Sequence, residues 1–150
     1  MTENTPARPE RPFADALRRL KKAELRPTRQ RLALGKLLFD GGDRHVTAEN
    51  LHDEAVHNGI RVSLATVYNT LNQFTAAGLL REVVVAPGRS YFDTNIADHH
   101  HFFYEDDGAL EDIPGDEITL AALPAAPAGA QVERVDVVVR LRRDAPASDR

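Results

Sequence analysis

The segment from Ser63 to Gly78 constrains the fold of this chain more than any other stretch. Its apolar residues recur at spacings of three and four, which predicts an α-helix with one buried face formed by Leu64, Val67, Leu71 and Phe74. The opposite face carries short, uncharged polar side chains, namely Thr66, Asn69, Thr70 and Gln73. Such a face can hydrogen-bond to base edges in a DNA major groove, and Tyr68 at its flank adds a ring and a hydroxyl. A merely solvated polar face is the alternative interpretation.

The residues around this helix predict a winged helix-turn-helix. Three more helices are expected, at Phe13–Glu24, from Thr28 to about Phe39, and from Thr47 to about Asn58. Thr28, Thr47 and Ser63 are the expected N-caps. The turn Ala86–Arg89 separates two β-rich runs and so predicts a hairpin, the wing. Arg26, held in an extended link behind the basic first helix, could reach phosphates or a minor groove.

The last third of the chain predicts a small sheet. Strands are expected at His99–Tyr104, Ala109–Ile113 and Val132–Leu141, with an Ala/Pro-rich connector at Ala121–Ala130. So little helix covers this sheet that we expect it to pack against a second copy of itself. The predicted class is α+β, with a winged-helix DNA-binding domain at 12–92, a hinge at 93–98 and an α+β dimerisation and ligand-sensing domain at 99–143. Disordered tails are expected at 1–11 and 144–150.

Charge is distributed unevenly along the sequence. Residues 1–91 carry 14 Lys and Arg against 10 Asp and Glu, whereas residues 92–150 carry 5 against 13. A basic module neutralises DNA phosphates, and an acidic second module would stay off the duplex. The net charge of −4 taken alone argues against nucleic-acid binding, and ordinary solvated surfaces can produce the same asymmetry.

Three consecutive histidines mark the start of the acidic part. On a strand, His99 and His101 project to one side and His100 to the other. Two imidazoles with a nearby carboxylate are a good beginning for a divalent-metal site. Asp93 and Asp112 are the candidate carboxylates, and His45 is the candidate ligand from the first domain. An exposed strand that binds metal only adventitiously is the alternative.

Composition excludes several classes of protein. The chain has no cysteine, so neither a disulfide framework nor a thiolate zinc site can form. No apolar run is long enough to span a bilayer, and the polar, proline-bearing start lacks the apolar core of a secretory signal. We expect a cytoplasmic protein without a membrane partner.

Several segments resemble the ferric uptake regulator (Fur) superfamily. They are RHVTAENL at 44–51, SLATVYNTLNQF at 63–74 and AGL at 77–79, and the Ala-Thr-Val-Tyr run is specific. The likeness extends from about Phe13 to Leu141. The histidine triplet and the ending at 135–142 resemble the iron response regulator (Irr) branch. This resemblance implies a dimeric repressor or activator of iron and haem genes that reads haem status and binds a roughly two-fold symmetric operator in double-stranded DNA.

The resemblance also assigns roles to individual residues. Tyr68 matches the family's base-contacting tyrosine, and Arg26 falls where a minor-groove lysine usually lies. The inter-domain metal site, for manganese, iron or zinc, is matched by His45, Asp93, His99, His101 and Asp112. The Irr branch implies haem at His99, His100 and His101, and with it haem-delivering proteins as partners.

Two departures from the family pattern bear on these roles. Asp93 and Asp112 stand where the family commonly has the longer glutamate. The family's Cys-x-x-Cys pair is missing at Tyr104 and Asp107, and the Cys-Pro haem motif of some Irr proteins is missing too. A four-cysteine zinc is therefore excluded, and haem would need histidine or another non-thiolate ligand.

The sequence thus predicts a transcription regulator of iron and haem genes, not an enzyme, whose DNA binding is modulated by a divalent metal, haem or both. Two other classes stay open. One is a haem-binding or haem-buffering protein whose helices are only structural, and the other is a histidine-metal hydrolase.

Overall fold

The computed structural model describes residues 11–145, whose contacts divide them into two units. The first unit ends at Ile96 and the second begins at Ala97. This division falls inside the segment 93–98, where we placed a hinge. The tails predicted at 1–11 and 144–150 lie almost entirely outside the described residues.

Four α-helices form most of the first unit: α1 Ala14–Lys22, α2 Arg29–Phe39, α3 Ala48–His57 and α4 Leu64–Ala76. The predicted N-caps Thr28, Thr47 and Ser63 are confirmed. Each side-chain oxygen accepts a hydrogen bond from the backbone N–H three residues later, at 3.1 to 3.2 Å. These caps satisfy N–H groups that have no partner inside their helices, so each helix begins where the sequence places its cap.

The core of the first unit is built from the apolar faces of these helices. Most of its fully buried residues come from α2, α3 and α4, with Leu20 of α1 and Val46 of the following strand; those of the three helices include Leu34, Leu38, Leu51, Val67, Leu71 and Phe74. The Phe39 and Phe74 rings stack with centroids 6.3 Å apart. This packing fixes the orientation of α4 about its own axis, and thereby decides which of its side chains face outward.

A three-stranded sheet completes the first unit. The predicted hairpin forms from β2 Arg81–Ala86 and β3 Arg89–Asp93, joined at Pro87–Gly88. Gly88 has a φ of +72°, a left-handed conformation that glycine adopts without steric cost. A short strand, β1 His45–Val46, pairs with β3 and gives the order β1-β3-β2. His45 therefore lies on a short strand between α2 and α3.

The second unit is a three-stranded sheet with the order β5-β4-β6. Its strands are β4 His99–Tyr104, β5 Leu110–Pro114 and β6 Val138–Leu141, and a single 3-10 turn follows β5 at Gly115–Glu117. The pair β4–β5 is antiparallel, whereas β4–β6 is parallel. A Cβ atom on Gly115 would lie 2.6 Å from the carbonyl oxygen of Asp98, so only glycine lets this turn approach the start of β4.

Two expectations for this unit are corrected. The α+β description of the second domain is wrong for residues 97–145, which contain no α-helix, and Pro124 and Pro127 interrupt its longest connection. The strand expected at Val132–Leu141 is only Val138–Leu141. It pairs in parallel with β4 on the side away from β5, because a long connection carries the chain to that edge. The α+β class of the whole chain is confirmed, and within residues 11–145 no helix combines the length and apolarity needed to cross a bilayer.

Candidate functional site

The outward face of α4 presents polar side chains beside an aromatic ring. Tyr68 is 39% exposed, and Asn69 and Gln73 are also exposed, whereas Thr66 is half-buried. Asn72, which we had not considered, is exposed on the same side. Because Val67, Leu71 and Phe74 anchor the opposite side in the core, this face is held rigidly outward, as base reading requires.

Thr70 does not belong to that face. It is only 5% exposed, so the structure contradicts its predicted place among the DNA-contacting side chains. Thr70 lies three residues after Val67 and four before Phe74, which puts it next to the buried face on a helical surface. The helix is rotated so that Thr70 turns inward, while Leu64 turns out to 36% exposure.

Tyr68 is held by a residue of the preceding helix. Its hydroxyl donates a hydrogen bond of 2.8 Å to the Glu49 carboxylate on α3. This bond, together with a smaller effect of burial, raises the pKa of the Tyr68 phenol above its ordinary value. No motif in the sequence points to this partner, because the two residues are 19 positions apart and meet only through the packing of α3 on α4.

Gln73 and the link at Arg26 share one partner. The Arg31 guanidinium donates to Gln73 Oε1 at 3.0 Å and to the backbone carbonyl of Arg26 at 2.9 Å. The Arg26 side chain itself is exposed at the surface. Arg31 thus ties the link before α2 to the end of α4, a role that sequence reasoning missed.

A bidentate ion pair supports the strand that carries His45. Arg44 donates to both carboxylate oxygens of Glu54, at 2.8 and 2.9 Å, and to the carbonyl of Leu37 at 3.0 Å. The hydrogen bond from Arg44 lowers the pKa of Glu54 although burial opposes it. The Arg44 backbone is also bonded to Thr94 through both its N–H and its carbonyl.

In the first unit, two predicted metal ligands meet across the sheet. His45 on β1 and Asp93 on β3 are directly opposed residues, and the distance from His45 Nε2 to Asp93 Oδ2 is 3.2 Å. Directly opposed side chains on one face of an antiparallel pair are close neighbours. Asp93 is fully buried, and its other oxygen accepts a hydrogen bond of 2.8 Å from the N–H of Asn95. A buried carboxylate needs a nearby positive charge or a proton, which a cation or the imidazole can supply.

In the second unit, three predicted ligands meet in the same way. His101 on β4 is directly opposed to Asp112 on β5, and His99 lies two residues earlier on the same side. The Nε2 atoms of both histidines are 3.3 Å from Asp112 Oδ1, and their rings touch with centroids 4.5 Å apart. Both histidines are buried, whereas the Asp112 side chain is 35% exposed. The three donors converge on one point, which suits a small cation.

The backbone orients one of these ligands. His99 Nδ1 lies 2.5 Å from the carbonyl oxygen of Ala97, which can only accept, so Nδ1 carries the proton. Its Nε2 then turns toward Asp112, and a proton or a cation must lie between that nitrogen and the carboxylate. A backbone acceptor on the second ring nitrogen is the usual support of a metal-binding histidine.

His100 is separated from its two neighbours, as the alternation of a strand predicts. It is half-buried, and its Nδ1 accepts a hydrogen bond of 3.1 Å from the N–H of Val137. The triplet therefore presents two imidazoles, those of His99 and His101, on one side of the sheet. The single imidazole of His100 lies on the other side, where it is hydrogen-bonded to the residue just before β6.

Comparisons with known proteins agree with this arrangement of elements. A model described as the ferric uptake regulator family matches residues 22–140. A ferric uptake regulation protein of Shigella flexneri is 37% identical over 100 residues, which cover 66% of this chain and 68% of that protein. The structure of the ferric uptake regulator from Pseudomonas aeruginosa with manganese is similar, with a TM-score of 0.67, 26% identity and coverage of 87% of this chain and 98% of that one. The ferric uptake regulator of Vibrio cholerae has a TM-score of 0.66, 27% identity and coverage of 84% and 98%.

Proposed function

Because the chain belongs to the ferric uptake regulator family, we propose that it is a dimeric, DNA-binding transcription regulator of iron-homeostasis genes that responds to a divalent metal ion. Members of this family are transcription regulators and not enzymes, so the hydrolase interpretation is wrong for this chain. The observation that carries the proposal is the exposed polar face of α4, anchored by a buried apolar face and followed by a β-hairpin.

In the proposed complex, α4 enters the major groove. Tyr68, Asn69 and Gln73 reach base edges, and the exposed Arg26 side chain contacts the backbone or the adjacent minor groove. Thr66, half-buried in the first turn of α4, is proposed to contact DNA at the edge of this surface. The excess of Lys and Arg before residue 92 supplies the non-specific part of the affinity.

The second unit is proposed to form the dimer. Its three-stranded sheet has one short parallel edge strand and, among the described residues, no α-helix to cover it. A second copy would shield such a sheet, and a closed dimer presents two reading helices to a roughly two-fold symmetric operator. Size-exclusion chromatography with light scattering tests this, since a monomeric mass at micromolar concentration would contradict it.

The metal is proposed to bind residues of both units: His45 and Asp93 from the first, and His99, His101 and Asp112 from the second. The donor chemistry supports this, because imidazole nitrogens and carboxylate oxygens together suit manganese, iron or zinc. One related structure, that from Pseudomonas aeruginosa, was solved with manganese. A cation that shares ligands with both units would favour one arrangement of them, and with it one spacing of the two reading helices.

We also propose that haem binds at the histidine triplet, as in the Irr branch that the triplet resembles. His99 and His101 are 5% and 4% exposed and already face Asp112, which leaves little access for a macrocycle. His100 is the more accessible of the three, although its Nδ1 is engaged by Val137. We therefore expect a haem-dependent Soret band in the wild type that is lost in His100→Ala. A band that persists in that variant would contradict this site.

The DNA function is tested by a mobility-shift titration with duplex DNA from an iron-gene promoter and a scrambled duplex of the same composition. We expect preferential binding of the promoter, with an affinity that falls steeply as salt rises. Equal affinity for the two duplexes would contradict the proposal.

A further inference from the structure

Two side chains on the exposed face of α4 are already hydrogen-bonded by neighbours within the first unit. Tyr68 donates to Glu49, and Gln73 accepts from Arg31. Building on the proposed function, we propose that Glu49 and Arg31 determine base specificity. Glu49 makes the Tyr68 hydroxyl an acceptor toward DNA, and Arg31 makes the Gln73 amide a donor. Neither partner needs to touch a base to have this effect.

Glu49 acts on Tyr68 because the tyrosine hydroxyl has only one proton to donate. An ionised carboxylate can only accept, so the 2.8 Å bond commits the single hydroxyl proton of Tyr68. The phenol oxygen then offers only lone pairs to the groove. In the major groove the matching donors are the amino groups of adenine and cytosine, whereas guanine and thymine present carbonyl acceptors at the corresponding position. A tyrosine phenol is protonated at neutral pH, so the proton is present to be committed to Glu49.

The surroundings leave this pair open to a ligand. Glu49 and Tyr68 are both exposed, and no cation within residues 11–145 forms an ion pair with Glu49. Both line a cleft of about 240 Å³ whose opposite wall is the wing, from Gly88 to Tyr91. A purely structural hydrogen bond would gain little at such an exposed place, whereas a base edge can enter from the open side.

Arg31 acts on Gln73 as a hydrogen-bond donor, whereas Glu49 acts on Tyr68 as an acceptor. A guanidinium can only donate, so the oxygen of the Gln73 amide faces Arg31 and its NH₂ group faces away. An unrestrained glutamine reads adenine through both its oxygen and its nitrogen. Because the amide oxygen is turned toward Arg31, the NH₂ group is what faces the groove, and guanine, whose O6 and N7 are both acceptors, becomes the better partner.

The test for Glu49 begins by locating the contacted base. Operator duplexes carrying each of the four base pairs at every position are titrated with wild-type protein and with Tyr68→Phe. The contacted position is the one at which Tyr68→Phe loses discrimination. There we expect adenine or cytosine to be preferred by roughly fivefold or more, the lower end of what a good base contact gives. Glu49→Ala should reduce this preference to within about twofold, because it removes the oxygen that accepts the Tyr68 proton and the hydroxyl can then turn to donate.

Asp53→Ala is the matched control, since it removes an exposed carboxylate from the same helix without contacting Tyr68. It should raise non-specific affinity as much as Glu49→Ala does, yet leave the base preference unchanged. A guanine or thymine at the contacted position would overturn the inference, as would base discrimination in Glu49→Ala equal to that of the wild type. In both cases specific binding by the wild type would still stand, so the proposed function survives. Absence of any specific binding would refute that function itself.

A second series examines Gln73. At the position where Gln73→Ala loses discrimination, the wild type should prefer guanine over adenine, and Arg31→Met should shift the preference toward adenine by roughly fivefold. Arg29→Met removes an exposed positive charge from the same helix and should weaken all duplexes equally. An unchanged guanine preference in Arg31→Met would contradict the role of Arg31.

Discussion

Loss of Arg44 is expected to destabilise the first unit substantially. The Arg44 side chain makes two charged hydrogen bonds to Glu54 and one to the carbonyl of Leu37, with donor–acceptor distances of 2.8 to 3.0 Å. The side chains of Arg44 and Glu54 are 32% and 33% exposed. The ion pair connects the end of α2 and α3 to the residue before the proposed ligand His45, so its loss would loosen all three elements.

The expected loss in the free energy of unfolding follows from the partial burial of this ion pair. Fully exposed ion pairs contribute about 0.2–1 kcal/mol, and breaking a buried pair costs about 3–5 kcal/mol. With two thirds of each side chain buried, we expect Arg44→Ala to lower the free energy of unfolding by about 2 kcal/mol. Arg44→Lys should cost about 1 kcal/mol, because a lysine ammonium cannot form the two-pronged contact with the carboxylate.

The pH dependence adds a signature that a packing defect would lack. Arg44 lowers the pKa of Glu54 in the folded state below its ordinary value of 4.5. A carboxyl group whose folded pKa is lowered stabilises the fold above its unfolded pKa and loses that contribution as pH falls toward the folded pKa. The difference in stability between wild type and Arg44→Ala should therefore be constant near neutral pH and shrink as pH falls below about 4.5.

Urea unfolding followed by circular dichroism at 222 nm is the appropriate assay, since all α-helices of the described residues belong to the first unit. Arg29→Ala, a change at an exposed arginine of α2, serves as the control and should stay within about 0.5 kcal/mol of wild type. A similarly small effect of Arg44→Ala, or a stability difference that does not change with pH, would show that the Arg44–Glu54 ion pair does not stabilise the first unit.

Two further predictions concern DNA and metal. Tyr68→Ala should weaken binding to operator DNA by about 1–3 kcal/mol in anisotropy titrations. Thr70 is buried, so Thr70→Ser should leave base discrimination unchanged. Operator affinity that is equal in Tyr68→Ala and wild type would argue against the reading face. Asp112→Ala should lower the affinity for Mn²⁺ more than about tenfold by calorimetry, because it removes the carboxylate that both histidines face. The exposed Asp116→Ala is its control, and equal Mn²⁺ affinity in the two variants would rule out Asp112 as a ligand.

Much of the first unit could be predicted because its signals are local. A cap and the helix it begins are three residues apart, and the turn at Pro87–Gly88 lies between the strands it joins, so the sequence contains both partners of each interaction. The sequence also predicts that His99 and His101 lie on the same side of their strand, since this depends only on the two-residue period of a strand.

Interactions between distant residues could not be predicted in the same way. Thr70 was misplaced because apolar spacing alone does not fix the rotation of α4 to within one residue, and the packed core does. The partners Glu49 and Arg31 are 19 and 42 positions from Tyr68 and Gln73, with no motif that links them. The parallel pairing of β6 with β4 likewise follows a connection with no regular pattern.

If a divalent metal at the proposed ligands controls operator binding, operator affinity should depend on Mn²⁺ only while those ligands are present. We would measure operator affinity by fluorescence anisotropy across a Mn²⁺ titration, for wild type and for the double variant His99→Ala/His101→Ala. Mn²⁺ is expected to strengthen wild-type binding by about tenfold, within the usual range of coupling between two sites. The double variant should keep its metal-free affinity and lose the response to Mn²⁺. A wild type that is indifferent to Mn²⁺, or a double variant that responds as the wild type does, would show that these ligands do not control DNA binding.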